Sequence, residues 1–540
     1  MPANWSLNEK LRLRTQYSTS GFFAFSVGQD DKNATRNLMS LDQGGIGLPS
    51  RDYYLNRTVQ NDTVLSAYAE FLFHIAEKIG DAELEHVQNV VIFEQEMAKI
   101  LSSSAERRQW DKMYSLMNVS QLQEICPSIS WQWFFDQVTN WAGSDGLPTD
   151  EIIVYGQTFF NRLNTLLEKT LANEEGQKVL HNYIVFRTIL KFVPQLGSDF
   201  RELYDTFQNK VTGKKGSSEQ WETCVMDTSD MLGFALGSVY ISEHFPEVAR
   251  EKSEEMIAEI RATFKQRIMQ LGWMDDTTKE KALEKADSMR YNIGYPEWCA
   301  NETALNEYYE NFTVTDDNLL NHVNYFRYAL GKMMKRLREK PDPDRWSMVP
   351  MQVNAYYTAS QNKIVFPAGI LQPPFFSDEV PSALNFGGIG MVIGHEIVHA
   401  FDDTGRLFFK NGELFTWWDE TTDSQFRSRT RCIANQYSQY KSGDLNIRGN
   451  QTVGENIADN GGIKVAFQAY KTLQAKKGKL TKEIRLPGIN LNEDQMFFVN
   501  FAQVCWKNYN PFTIVYFSYY FHAIDLVCIL YPRSFEASNS

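Results

Sequence analysis

Between residues 64 and about 340, apolar positions recur at spacings of three and four. Leu65, Tyr68, Phe71, Leu72, Ile75 and Ile79 form one such stripe, and Val87, Val90, Val91, Phe93, Met97 and Ile100 form the next. That period places them on one face of an amphipathic helix. Residues 247–271, 276–290 and 317–338 repeat the pattern with mixed charges on the outer face. From about 345 the texture changes. Residues 352–357 and 363–367 read as short strands, and Met391 to Phe401 reads as a buried helix, apolar except for three residues. Residues 213–218 and 475–479, rich in Gly, Lys and Ser, read as exposed loops. The closely spaced prolines Pro341 and Pro343 cannot continue a helix and mark the expected boundary.

The three exceptions in the apolar helix are His395, Glu396 and His399, an H-E-x-x-H pattern. Positions i and i+4 share a helical face, so both imidazoles can reach one ion, with Glu396 beside it as a general base. Burying these groups is costly unless they are paired or metallated. The competing reading is a pair of hydrogen-bonded core histidines. A zinc site needs a third protein ligand. The spacing H-E-x-x-H-x-x-G-x-x-H is not met, because Asp402 stands where glycine is required and no third histidine follows. A carboxylate from a later helix is the other route. Glu455 and Asp459, four apart, fit it: Glu455 as ligand, and Asp459 as acceptor for a ligand histidine N–H. Such an acidic pair more often faces solvent, but Ile457, Ala458, Ile463, Val465, Ala466 and Phe467 make this segment largely apolar. One zinc per chain is expected.

Several blocks then resemble the neprilysin and endothelin-converting-enzyme family of zinc metallopeptidases. They are Leu48 to Tyr54, Val353 to Tyr357, Ile364 to Phe376, the His395 block, Gly454 to Gly462, and Phe497 to Gln503. The resemblance covers about residues 25–506. It implies that His395, His399 and Glu455 bind zinc, that Glu396 is the base, and that Asp459 supports a ligand. It also implies that Asn354 and Ala355 pair with the substrate backbone as an edge strand. Phe375, Met391 and Val392 match the positions lining the pocket for a large apolar side chain just after the cut bond. On residues alone, these apolar positions are ordinary core.

The expected fold is mainly α with a smaller α+β part: a thermolysin-like zinc-peptidase lobe and a large helical cap. The expected division is 1–63 packing on the catalytic lobe, 64–340 as the cap, 341–506 as the catalytic domain and 507–540 as a divergent tail. The implied function is a zinc endopeptidase that cuts short peptides on the amino side of large hydrophobic residues. The alternative is a weakened or inactive homologue that binds zinc and peptides without cleavage. A zinc aminopeptidase is a poorer match, since no Gly-x-Met-x-Asn segment precedes the motif.

The chain departs from the family pattern at both ends. The start shows no signal-peptide core or membrane anchor. Cys505-Trp506 reverses the family order, and the D-x-H-x-P segment is missing, so His522 and Arg533 receive no role. An incomplete gene product is one expectation from these departures. Residues 512–531 have the length of a membrane span, but His522 and Asp525 near the middle argue against one.

A net charge of −13 argues against nucleic acid as a partner, which needs a basic face. The six cysteines show no C-x-x-C spacing, so zinc ribbons and redox motifs are not expected. Cys224, Cys432 and Cys505 resemble family disulfide positions whose partners lie in the divergent ends, so unpaired thiols are expected. Eight N-x-S/T sequons, at Asn4, Asn33, Asn56, Asn61, Asn118, Asn301, Asn311 and Asn450, fit a glycosylated ectodomain. Extracellular or cell-surface location follows from the sequons and the resemblance. Oligomeric state is open.

Overall fold

The computed structural model describes residues 5–504, apart from 18–20, 81–82, 145, 214–218, 443–444, 478–485 and 487. The fold is mainly α with small sheets. The chain divides into two compact units, residues 1–219 with 310–341, and residues 220–309 with 342–540.

The first unit combines long helices with a four-stranded sheet. Helix Thr63–Lys78 starts at Asp62, whose carboxylate accepts the Val64 and Leu65 N–H groups, and it buries Leu65, Tyr68, Phe71, Leu72 and Ile75. The predicted stripe is therefore the buried face up to Ile75, whereas Ile79 lies at the C-cap and is exposed. Helix Asn318–Lys335 is capped the same way by Asp317. The sheet contains β1 (Phe23–Asp30), β2 (Asn33–Gln43), β3 (Tyr114–Asn118) and β4 (Glu151–Tyr155), in the order β1-β2-β4-β3. β2 and β4 run parallel and the other pairs antiparallel. Aromatic rings fill the space between sheet and helices: Phe22 stacks on Tyr183 at 5.5 Å, and Phe23 packs on Trp131 at 5.0 Å.

The second unit carries the motif. Its sheet contains β5 (Arg290–Gly294), β6 (Tyr356–Thr358) and β7 (Lys363–Pro367), with β7 central, parallel to β5 and antiparallel to β6. Helix Glu247–Gln270 buries Met256, Ile257, Ile260 and Ile268 in the same core as Ile389, Ile393, Ile397, Ala458, Val465 and Phe497. Each fully buried aliphatic or aromatic side chain contributes about 1.5–3 kcal/mol relative to exposure.

This division differs from the one expected from sequence in two places. Residues 1–63 pair with β4 through β2 and so join the first unit, not the catalytic part. Residues 220–309 leave the expected cap for the second unit, because β5 pairs with β7 and helix Glu247–Gln270 shares the motif's core. Helical periodicity identifies a buried face but not the core it joins. The strand expected over 352–357 begins at Tyr356 and ends at Thr358, so Asn354 and Ala355 precede it.

Cys126, Cys224, Cys299 and Cys432 are free thiols, so no disulfide forms among the described residues. Cys505, Cys528, the divergent tail and the 512–531 stretch lie outside the described residues. Among the described residues, no helix is long and apolar enough to cross a membrane.

Candidate metal centre

All residues of helix Ile389–His399, the motif helix, are buried. It is crossed by helix Val453–Lys477, the acidic helix. The two backbones approach closely because glycines meet at the crossing. A Cβ on Gly394 would lie 2.6 Å from the Gly462 carbonyl oxygen, and a Cβ on Gly462 would lie 2.6 Å from the His395 nitrogen. Larger residues would separate the helices. The close crossing delivers Glu455 and Asp459, one turn apart, to the two histidines.

His395 Nδ1 lies 2.9 Å from Asp459 Oδ1, and His399 Nδ1 lies 2.8 Å from Asp402 Oδ2. An ionised carboxylate only accepts, so each imidazole donates from Nδ1 and turns Nε2 inward, where its lone pair becomes a ligand once its proton is released. The two Nε2 atoms are 2.8 Å apart. Glu455 Oε2 stands 3.4 Å from His395 Nε2 and 3.2 Å from His399 Nε2. Among the described residues, His395, His399 and Glu455 are the group placed to hold a metal ion.

Zinc fits this donor set. The separations from Glu455 match the roughly 3.3 Å edge of a tetrahedron with bonds of about 2.0–2.1 Å. The Nε2–Nε2 pair must open by about half an ångström to match it. Glu396 Oε2 and Asp459 Oδ2 are buried without a hydrogen-bond partner. Such concentrated, undersupplied acceptors favour a cation.

Electrostatics agree. Burial and the neighbouring His399 push the His395 imidazole down, but Asp459 and Glu455 outweigh them and raise it to about 9. His399 is likewise raised, with Glu455 and Asp402 overcoming burial. Burial raises the Asp459 carboxyl, opposed by His395. A proton and a cation thus compete for the same lone pairs, so metal uptake releases protons and weakens as pH falls.

The structure brings together four sequence-predicted residues, His395, His399, Glu455 and Asp459. Glu396 lies buried on the motif helix between the two histidines in sequence. Met391 and Val392 are in the core on the same helix, with Phe375 packed against that core. The Phe375 carbonyl accepts the Ile389 N–H at 2.9 Å, fixing that loop to the helix start. Ala355 is buried, and the Asn354 carbonyl oxygen of the side chain accepts the Ala355 N–H at 2.9 Å.

Sequence reading missed Asp402, noticing it only as a residue that breaks a motif. Its Oδ1 accepts the Thr404 N–H at 2.8 Å and the Gly405 N–H at 2.6 Å, while Oδ2 faces His399. The available signal was an acid one turn beyond the second histidine.

Residues 2–296 and 354–524 match the two sequence profiles described as peptidase family M13. The chain is 37% identical over 506 residues to an endothelin-converting enzyme homolog of Locusta migratoria, covering 93% of this chain and 69% of that protein. It is 38% identical over 508 residues to neprilysin-3 of Drosophila melanogaster, covering 93% of this chain and 64% of that protein. The chain thus spans about two thirds of the length of these curated relatives. The Mycobacterium tuberculosis zinc metalloprotease Zmp1, solved with an inhibitor, superposes with a TM-score of 0.84 at 27% identity, over 95% of this chain and 76% of that one. PepO of Lactobacillus rhamnosis HN001 shares the fold, with a TM-score of 0.81 at 22% identity, over 95% of this chain and 77% of that one. With both profiles matched in order and His395, His399 and Glu455 converging on one point, the chain belongs to peptidase family M13, the family of neprilysin and the endothelin-converting enzymes.

Proposed function

We propose that this chain is a zinc-dependent endopeptidase that cleaves short peptides on the amino side of large hydrophobic residues. The observation that carries the reading is the convergence of two Nε2 lone pairs and one carboxylate oxygen in a buried place, with an unpartnered Glu396 oxygen on the same helix. His395, His399 and Glu455 would hold the zinc. Zinc bound there supplies Lewis acidity, polarising a carbonyl and lowering the pKa of water from about 15.7 to near 7.

The chain's own residues do the rest. Asp459 and Asp402 hold each imidazole in the tautomer that presents Nε2. Glu396 Oε2 accepts the proton of the attacking water and returns it to the departing amine. Asn354 and Ala355, just before β6, align the substrate backbone by adding it as a strand. Phe375, Met391 and Val392 supply an apolar wall for the residue after the cut bond. This last assignment rests on family resemblance and on their clustering at the start of the motif helix. Work at the cell surface or outside it is supported by the sequons, of which Asn56, Asn61, Asn301, Asn311 and Asn450 are exposed.

Glu396→Gln keeps the shape and removes the base. It should retain zinc and lose about 10²–10⁴-fold in turnover of an N-blocked, internally quenched peptide with Phe or Leu after the cut bond. Unchanged hydrolysis by Glu396→Gln removes that residue from the mechanism. A zinc-loaded wild-type chain that binds the peptide and never cuts it supports the non-catalytic reading instead.

A further inference from the structure

Lys285, on helix Asp276–Ser288, is fully buried. Its ammonium donates to three backbone carbonyls: Ala400 at 2.7 Å, Gly405 at 2.7 Å and Phe408 at 2.6 Å. The rings of Phe401, Trp417 and Tyr357 lie 5.4, 5.8 and 6.0 Å from Nζ. A lysine in such a place is costly unless fully satisfied. Here three donors meet three acceptors. Burial pushes the ammonium down to about 7, and Asp402 opposes that shift.

All three carbonyls belong to one turn, Ala400 to Phe408, which leaves the motif helix directly after His399. The same turn carries Asp402. Its fold is tight: a Cβ on Gly405 would come 1.9 Å from the His399 carbonyl oxygen. Asp402 is thereby fixed by the Thr404 and Gly405 N–H groups, and the lysine holds Gly405 through its carbonyl. The lysine's own helix is anchored as well, since the Lys285 carbonyl accepts Asn362 Nδ2 at 3.0 Å, next to β7. A continuous set of bonds therefore runs from Lys285 through the turn to Asp402 and on to His399 Nδ1.

We propose that Lys285 is a positioning residue for metal binding: it clamps the Ala400–Phe408 turn so that Asp402 orients His399. The inference rests on the zinc reading above. No step of peptide hydrolysis uses this lysine, and no periodicity in the sequence marks it.

The test is a double-mutant cycle read as zinc affinity, by competition with a chelator, on the full chain. Lys285→Met, apolar and of similar length, should weaken zinc binding about 10-fold, within the range for removing an outer partner of a ligand. Asp402→Asn should cost about 10–100-fold. The double variant should bind zinc no worse than Asp402→Asn alone, because both act through one contact. Cobalt(II)-loaded Lys285→Met and Asp402→Asn should show visible absorption bands shifted in the same direction.

Unchanged zinc affinity in Lys285→Met, or an equal loss in both backgrounds, overturns the proposal. So do unshifted cobalt bands with only a lowered melting temperature, which identify a purely structural lysine. If Lys285→Met does not fold, Lys285→Gln, which keeps two N–H donors but falls short of the three carbonyls, should give a loss in the same direction and the same non-additivity with Asp402→Asn. A wild-type chain that takes up no zinc defeats the reading of the site itself, which is a separate outcome.

Discussion

Glu94 and Glu396 are both buried helical glutamates, yet their oxygens meet opposite surroundings. In the first unit, Glu94 Oε2 accepts from the Tyr54 hydroxyl at 2.6 Å and the Gly47 N–H at 3.2 Å, while Oε1 accepts from the Tyr68 hydroxyl at 3.2 Å. Burial raises the Glu94 carboxyl, against the pull of Arg187 and the tyrosine hydroxyls. Every oxygen has a donor, and the network ties the Gly47–Tyr54 loop to helix Leu84–Ile100. In the second unit the acceptors outnumber the donors. Two Nε2 lone pairs and Glu455 Oε2 converge, and Glu396 Oε2 and Asp459 Oδ2 have no partner. Burial alone does not separate the two clusters, since Glu94 is 0% and Glu396 2% exposed. The balance of donors and acceptors does. A closed network holds structure together, and an excess of acceptors calls for a cation.

The contrast can be broken by mutation. The largest effect is expected from Glu455→Ala, which removes a ligand oxygen from the undersupplied cluster. Zinc affinity should fall by more than the roughly 10–100-fold that outer partners contribute. Chelator competition measures this.

Glu94→Ala should do the reverse. It strands the Tyr54 and Tyr68 hydroxyl protons, while the Gly47 N–H keeps the Tyr54 oxygen as acceptor, and should lower the unfolding free energy by about 3 kcal/mol. Denaturant titration reads that loss, and zinc affinity should stay unchanged. A coupled fall in zinc affinity would show that the two clusters are not independent.

The smallest effect sharpens the comparison with an acid that is satisfied at the surface. Asp275 caps helix Asp276–Ser288. Burial is the largest single influence and raises its carboxyl, but the Thr278 and Thr422 hydroxyls and the Thr278 and Thr277 N–H groups together hold it down to about 2. A carboxyl depressed on folding stabilises above its unfolded pKa of about 3.9, and that contribution is lost as pH falls towards 2. Asp275→Ala should therefore cost about 1 kcal/mol at pH 7, and the difference from wild type should vanish below about pH 2.

What the sequence disclosed follows from where each interaction is encoded. His395 and His399, and Glu455 and Asp459, lie one helical turn apart, so their shared faces were legible from spacing. Strand β7 was legible as a short apolar run, and its ends fall as expected at Lys363 and Pro367. Asp402 was not legible, because it works from a turn that has no period. Lys285 looked like one of the charges on an outer helical face. Its burial is decided by carbonyls more than a hundred residues away. The pairing of β2 with β4 also joins distant segments, which is why residues 1–63 were expected in the wrong unit.

The central claim is that His395, His399 and Glu455 form one zinc site, and metal analysis tests it most directly. The purified full chain, equilibrated with zinc and freed of excess, should carry one zinc per chain by elemental analysis and native mass spectrometry, and Glu455→Ala should carry none. A folded wild-type chain that retains no stoichiometric zinc, or a Glu455→Ala variant that retains it fully, would contradict the account.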